Sequence, residues 1–461
     1  MKKVLKTFFF AKPIDPVFRI LYFPLFRIMG GNGGQPAKEY FKHLCENEFK
    51  PLHELICLQN IKLKRLIKEA YENVPYYRKV MDKMHLLPTD INTANDLRRL
   101  PILTKAIVRE NHNDLINRKC IKGRLTKVTT GGTTGTPMFF LFGKHEIGVK
   151  CAHIERWKKV SGVKQFDRYM YIAFDEMAVN RKNYEGTFSH KGFYHMNSFG
   201  LNDELLWKYY KNIKKFKPLY LRGQSSACYL LAEFFRRNNL KCPMKVVLTS
   251  SDALYPYQRD LIKEVFNCEV YDFYHQAEDV AIGFECGYHN GYHVVMDSCI
   301  PEIVAESGEP VCDGQQGTII STQLENYTMP LIRYDTNDLG SISTEKCACN
   351  RNSIKIRQLD GRKADVIITP EGKKIAGGMS RPMKHLHKEI REVQFIQKDV
   401  NSIIVRYVPT GTYTAKTQEM FEEKIRELTG KKIQINFEKV QAIPKTMRGK
   451  HRLIISEIVE P

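Results

Sequence analysis

The chain has 461 residues, 43% of them hydrophobic and 27% charged, which excludes a disordered or low-complexity protein and leaves room for roughly two to four folding units. Lys and Arg number 72 against 51 acidic residues, a net charge of +21. That excess favours an anionic partner such as nucleotide phosphates, nucleic acid or an acidic membrane surface. It is spread along the chain without an aromatic-basic module, which argues against a nucleic-acid binder. The 12 cysteines are dispersed, the opening apolar run is too short for a signal sequence, and no stretch of about 18 uncharged apolar residues occurs. These features predict free thiols and a cytoplasmic setting.

The first element is Phe18–Met29, aromatic and apolar with Arg19 and Arg27 between. Two placements suit it: along a membrane surface, giving a peripheral contact through the N-terminus, or packed on its own domain. The glycines from Gly30 to Gly34 make a loop. From Glu39 to Tyr77 apolar residues recur at helical spacing (Phe49, Leu52, Ile56, Leu63, Leu66, Ile67), predicting paired helices that end near Pro75.

From Lys127 onward short β-branched runs alternate with helical patterns. Val246–Leu248 reads as a strand, Tyr257–Val265 as a helix, and Val270-Tyr271 as the start of another strand. That alternation predicts an α/β domain with a largely parallel sheet. Between Gly291 and Ile342 the strands follow one another without helices, predicting an antiparallel sheet or small barrel. After Asp365 come strands at Val393–Ile396 and Ile403–Val405, a helix over Lys416–Leu428 and a strand at Ile433–Phe437. The expected fold class is therefore α/β: a large N-terminal domain with a small barrel-like β subdomain, then a small, mobile α+β C-terminal domain. The expected boundaries are a helical region to residue 125, a core over 126–360, a hinge at 361–365 and the C-terminal domain over 366–461.

Thr129-Thr130-Gly131-Gly132-Thr133-Thr134-Gly135-Thr136-Pro137 is the sharpest local signal. A phosphate cradle needs inward-pointing N–H groups with no Cβ in the way, and glycine supplies that. The threonine hydroxyls add donors to phosphate oxygens or face a bound Mg²⁺. No Gly-Lys-Ser/Thr follows, so the loop is not a Walker A sequence. It resembles the Thr-Ser-Gly-Thr-Thr-Gly-Lys-Pro signature of the adenylate-forming superfamily, with Gly131 in the serine place and Thr136 in the lysine place.

The superfamily's other motifs follow in order. Val270–Glu278 is similar to the Tyr-Gly-x-Thr-Glu segment, which implies that Tyr274 stacks on adenine and Glu278 holds Mg²⁺. His275 replaces its glycine and Ala277 its hydroxyl residue. Arg333-Tyr334-Asp335-Thr336-Asn337-Asp338 resembles Tyr-Arg-Thr-Gly-Asp; the resemblance implies that Asp338 accepts the ribose hydroxyls, with Asn337 where glycine is usual. Gly361-Arg362-Lys363-Ala364-Asp365 resembles the hinge motif, implying a ribose or phosphate contact for Arg362. Pro444-Lys445-Thr446-Met447-Arg448-Gly449-Lys450 resembles the C-terminal motif whose last lysine reaches the reacting carboxylate. A point cation there offsets charge in the transition state. The resemblance thus makes Lys450, Glu278 and Thr134 catalytic. ATP or AMP falls to Thr130, Gly131, Gly132, Thr133, Gly135, Tyr274, Asp338 and Arg362.

Cys286 and His293 flank a glycine-containing turn, and Cys347-Ala348-Cys349 follows. Three thiolates and one imidazole close a structural, tetrahedral Zn²⁺ site if the two segments meet in space. Buried free cysteines are the other reading. The arrangement resembles the Cys…His…Cys-x-Cys-Gly-Arg pattern of phenylacetate–CoA ligases and CapK-type proteins of capsule biosynthesis, with Asn350 in the glycine place. Asn73–Arg78, Leu100–Lys105 and Tyr220–Ser226 resemble the same branch. The resemblance implies ATP-dependent activation of a small-molecule carboxylic acid as its acyl-AMP, then transfer to CoA. The alternative acceptor is an amine or hydroxyl of a surface-polysaccharide sugar. From another class, the chain would be a non-catalytic nucleotide or nucleic-acid binding relative.

Overall fold

The computed structural model describes residues 34–120, 125–129, 138–164, 167–174, 186–189, 193–363, 365–375, 378–446 and 450–458. Phe18–Met29 and the phosphate-loop residues 130–137 lie outside them. The longer helices are α1 (Gly34–Glu46), α2 (Leu52–Asn73), α3 (Pro75–Lys83), α4 (Lys144–Val160), α5 (Asp203–Phe216), α6 (Ser225–Arg237), α7 (Pro256–Phe266) and α8 (Ala415–Thr429). The described chain falls into two compact units. One takes the residues before 166 with Phe273–Thr336 and Gly340–Gln358; the other takes Phe166–Asp272, Asn337–Leu339 and Leu359–Pro461.

In the first unit α2 buries Leu63, Leu66 and Ile67 completely, which contributes roughly 1.5–3 kcal/mol for each side chain. The helical face predicted there is narrower than its apolar residues suggest: Phe49 and Ile56 are 55% and 42% exposed. Pro75 also ends nothing. It is the first residue of α3, where its missing N–H costs no bond and its fixed φ suits a helix start. Helices α1 and α4 cross tightly at Gly148, where any Cβ would lie 2.6 Å from that of Pro36. Further along α4, buried Trp157 stacks on Phe273 at 4.9 Å and 15°.

Strands β1 (Thr126–Thr129) and β2 (Phe139–Phe142) form an antiparallel hairpin in this unit, with Thr129 opposite Phe139. The second unit carries β3 (Tyr169–Ala173), β4 (Thr187–Ser189), β5 (Phe193–Asn197), β6 (Tyr220–Gln224) and β7 (Val246–Ser250). Here β3 is parallel to β5 and β6, and β6 is parallel to β7, as the strand–helix alternation predicts. Gly223 lets β6 lie close to β3, since a Cβ would sit 2.3 Å from Ile172 Cγ2. One face of this sheet (Met170, Ile172, Tyr194, Met196, Leu221) packs with residues of α5, α6 and α7 in a continuous core.

Strand β8 (Glu269–His275) runs through the boundary at Asp272, and its end pairs antiparallel with β9 (Ile282–Phe284). Next come β10 (Tyr292–Val294), β11 (Cys299–Val304), β12 (Gly317–Gln323), β13 (Tyr334–Ser343) and β14 (Lys355–Arg362). Strand β10 pairs antiparallel with β9 and with β14, and β11 with β12. This is the helix-free stretch that the sequence places between Gly291 and Ile342.

The C-terminal part begins with the short pair β15 (Ile367–Ile368) and β16 (Lys374–Ile375). A four-stranded sheet follows in the order β19-β18-β17-β20, made of β17 (Ile390–Asp399), β18 (Ser402–Pro409), β19 (Gln434–Lys439) and β20 (Ile454–Ser456). Thr414 caps α8 by accepting from Thr417 N at 3.3 Å. Phe421 and Ile425 of that helix bury against Phe395 and Val405 of the sheet.

Candidate active site and metal centre

Thr130, Gly131, Gly132, Thr133, Thr134 and Gly135 lie outside the described residues. The β1–β2 register fixes what flanks them. Thr129 and Phe139 stand opposite each other as the last described pair of that ladder before them.

Tyr274 sits near the end of β8, half-exposed, and accepts a hydrogen bond from Gln276 Nε2 at 2.6 Å. Four residues on, Glu278 is 4% exposed and accepts from the Tyr334 hydroxyl, at 3.0 Å on Oε1. Its Oε2 has no hydrogen-bond partner among the described residues, and a hard carboxylate oxygen of that kind suits Mg²⁺. Next to it, Asp279 has φ +57°, unusual for a non-glycine residue. Its buried carboxylate lies 3.3 Å from His153 Nδ1, and the His153 Nε2 edge lies 2.7 Å from Ser298 Oγ. Burial raises the Asp279 pKa, but His153 outweighs this and holds the group below its usual value. A strained residue locked into the core thus follows the candidate metal ligand directly.

In the second unit Asp338 and Arg362 face each other, Oδ1 to Nε at 3.8 Å. The Lys363 N–H donates to Asn337 O at 3.0 Å, tying the two segments together. Asn337 itself has φ +61°. Glycine takes that conformation without cost, and asparagine is among the few other residues that tolerate it. Asn350, the other asparagine in a glycine place, has φ +64° for the same reason.

In the hinge motif, Ala364 lies outside the described residues. Asp365 pairs with Arg452 at 2.5 Å. Lys450 bonds twice to Thr446: Thr446 N donates to Lys450 O at 2.9 Å, and Lys450 N donates to Thr446 Oγ1 at 3.1 Å. Lys450 Nζ donates to the Ser251 carbonyl at 2.5 Å, just past the carboxyl end of β7. In open parallel sheets that edge is where ligands bind. Ser251 has φ +81°. The adjacent Asp252 caps α6 from a distance, accepting from Ser225 N at 2.7 Å and from the Ser226 hydroxyl. Burial raises the Asp252 pKa on balance, with Lys450 opposing.

Cys286, His293, Cys347 and Cys349 come together, with all four ligand atoms within 4.8 Å of one another. Cys286 Sγ is 3.6 Å from Cys347 Sγ, and Cys349 Sγ is 3.2 Å from His293 Nε2. The far side of the imidazole meets Ser353 Oγ at 3.1 Å from Nδ1, which orients the ring with Nε2 toward the sulfurs. Burial pushes the Cys286 thiol up to about 12 and the His293 imidazole down to about 3. A closed set of three sulfurs and one neutral nitrogen fits tetrahedral Zn²⁺. Arg351 extends the cluster to the α1–α2 corner by pairing with Glu48 and lying over the Phe49 ring at 5.1 Å.

Tyr274, Glu278 and the Cys/His cluster therefore belong to one compact unit, and Asp338, Arg362 and Lys450 to the other. The sequence assigns no role to Tyr334, His153, Asp279, Ser251, Asp252 or Ser353. The hints are the run Glu278-Asp279 and the place of Tyr334 inside the motif that ends at Asp338.

Residues 367–457 match the family model of the CapK C-terminal domain. Protein CapK of Staphylococcus aureus is 27% identical over 444 residues, 91% of this chain and 94% of its own. The chain is thus similar to CapK along almost its whole length. Phenylacetate–coenzyme A ligase of Thermus thermophilus is 26% identical over 335 residues, 70% of this chain and 74% of that enzyme. Among solved structures, 2-hydroxyisobutyryl-CoA ligase in the postadenylation state aligns over 89% of this chain and 91% of its own, with a TM-score of 0.75 at 19% identity. The adenylate-forming fold, a large sheet-bearing part followed by a small C-terminal domain, is thus shared along the chain. No helix of the described residues is long and apolar enough to cross a membrane.

Proposed function

We propose that this CapK-like chain is an AMP-forming ligase that activates a carboxylic acid as its acyl-AMP and passes the acyl group to CoA. The observation that carries the reading is Lys450, whose ammonium is presented at the carboxyl end of the parallel strand β7. In the first step a carboxylate oxygen attacks the α-phosphorus of ATP, the bond to the β-phosphate breaks, and pyrophosphate leaves. Lys450 binds both the carboxylate and the α-phosphate and stabilises the charge that develops between them. Asp338 accepts the ribose hydroxyls, Arg362 contacts ribose or phosphate, and Tyr274 offers a ring for adenine. In the second step the CoA thiol sulfur attacks the acyl carbon, AMP departs, and the thiol proton is lost to solvent.

Glu278 is the residue to hold Mg²⁺, which when bound neutralises the phosphate oxygens. Zn²⁺ on Cys286, His293, Cys347 and Cys349 is structural, since the four donors leave no open position. The hinge at 361–365 lets residues 366–461 withdraw Lys450 between steps. The named activity of the Thermus thermophilus relative supports the CoA acceptor.

The test is pyrophosphate release from ATP against a panel of aryl, fatty, hydroxy and sugar acids, with and without CoA, for wild type and Lys450→Ala. Acid-dependent release that falls about a hundredfold or more in the mutant supports adenylation. A wild type inactive with every acid rejects it. Turnover that ignores CoA but responds to an amino sugar or a lipid-linked sugar moves the acceptor to a saccharide.

A further inference from the structure

The residue after Lys450 is a histidine with its ring turned inward. His451 is half-buried, yet its Nε2 is shut off from solvent and has no hydrogen-bond partner among the described residues. The ring makes a hydrogen bond with the Val393 backbone. It faces a small cavity whose lining includes Ser226 and Tyr229 of α6, Tyr257 and Gln258 of α7, and Glu392 and Lys445. Lys445 and Glu392 form an ion pair at its edge. On the other side Arg452 pairs with Asp365, and Leu453 O accepts from Phe395 N at 2.8 Å.

From these contacts we infer that His451 is a positioning residue, whose ring, beside the cavity that α6 and α7 line, anchors the backbone at 450–452 and so sets Lys450 in its adenylation pose. The inference rests on the function proposed above for Lys450. A lysine side chain has four rotatable carbons and no preferred direction of its own. Its ammonium stays at one place only if its Cα is fixed, and a neighbouring Cα about 3.8 Å away is the shortest lever for that. His451 supplies the lever. Its ring lines the cavity together with residues of two helices, and its sequence neighbours are pinned on both sides. The same helix, α6, starts at Ser225 and Ser226, whose N–H groups and hydroxyl hold Asp252 beside the Ser251 carbonyl that Lys450 touches. Seat and target are therefore built on one rigid element.

Two measurements on the full-length chain test this, using wild type, His451→Ala and His451→Gln. The first is amide hydrogen exchange without substrate. His451→Ala is expected to raise exchange about tenfold or more over 446–452 and to leave α8 and β18 unchanged, because only a local opening is released. His451→Gln, which keeps a polar group of similar reach, is expected to lie between the two. The second splits the half-reactions, with phenylacetate as probe acid. Pyrophosphate release should fall by about ten- to a hundredfold, as for a reacting group misplaced by an ångström. Thioester formation from supplied phenylacetyl-AMP and CoA should change less than about twofold, since Lys450 serves the first step. Unchanged exchange at 446–452 overturns the seat, and so does a parallel loss of both half-reactions. If the wild type releases no pyrophosphate with any acid, the adenylation reading falls, and the exchange comparison alone decides whether His451 anchors this backbone.

Discussion

Tyr334→Phe removes one oxygen from a fully buried ring and nothing else. The ring stays packed edge-on to Phe140, 6.1 Å away at 89°, so no cavity opens in the core. What is lost is the hydroxyl that donates to Glu278 Oε1 at 3.0 Å. Hydrogen bonds to charged groups contribute roughly 1.5–3 kcal/mol, and an unsatisfied buried acceptor costs about as much. At about 1.4 kcal/mol per factor of ten, that is a loss of roughly ten- to a hundredfold. If the bond holds the carboxylate where Mg²⁺ meets the phosphates, the loss appears in kcat/KM for MgATP and is largest at limiting Mg²⁺. The assay is pyrophosphate release against a Mg²⁺ titration at fixed acid, with equilibrium ATP binding measured alongside. Glu278→Gln is the companion variant: it keeps an acceptor for Tyr334 and loses the ligand charge. A Tyr334→Phe enzyme with wild-type Mg²⁺ dependence and a lowered unfolding midpoint would refute the reasoning, because the hydroxyl would then serve the fold and not the site.

Zinc analysis of protein purified without chelator should find about one ion per chain, and Cys347→Ala should remove it and lower the melting temperature. Zinc-free wild type with the same melting temperature would leave the cluster as buried thiols. Burial and then Lys445 depress the His451 pKa to about 3. The unfolded chain therefore binds the extra proton first: stability from this group is full above about pH 6.5 and declines as pH falls toward 3, by at most about 1.4 kcal/mol per pH unit. The groups facing the ring are Lys445, Glu392, Arg391, Tyr229 and Tyr257, so exchange at 446–452, corrected for its intrinsic rate, should rise between pH 7 and pH 5.5. Asn337→Ala should cost about 1 kcal/mol in denaturant unfolding while Asn337→Gly is near neutral, because the position has φ +61°. Gly223→Ala should destabilise by about 1–3 kcal/mol or more, since its Cβ meets Ile172 inside a parallel strand pair.

Secondary structure was most legible where one period ruled. The helix predicted over Lys416–Leu428 is Ala415–Thr429, and the strand at Val246–Leu248 is Val246–Ser250. Boundaries blurred where a residue has two uses. Pro75 reads as a stop, but a helix that follows another directly can begin on it. Phe49 and Ile56 read as core because apolar residues usually are, yet they stand on the exposed side of the α1–α2 corner. Arg351 over the Phe49 ring is a contact that no local pattern announces.

The site divides in the same way. Residues whose chemistry is their signal can be picked out one by one: Lys450, Glu278, Asp338, and three cysteines with a histidine. What positions them is spread across the chain, because it depends on which buried groups meet. Asp279 needs His153 of α4, Glu278 needs Tyr334, and Lys450 finds the carbonyl of Ser251. The two asparagines link these levels. Read as letters, Asn337 and Asn350 are departures from a glycine pattern. Their φ values of +61° and +64° show that the departures keep the one property the pattern requires, a left-handed backbone. The same logic gives the replacements at His275 and Ala277 a different weight. Neither has a positive φ, so what changes there is the side chain and not the path of the chain. Under the proposed function, differences in what the chain accepts should therefore be sought first at those two positions and not at the asparagines.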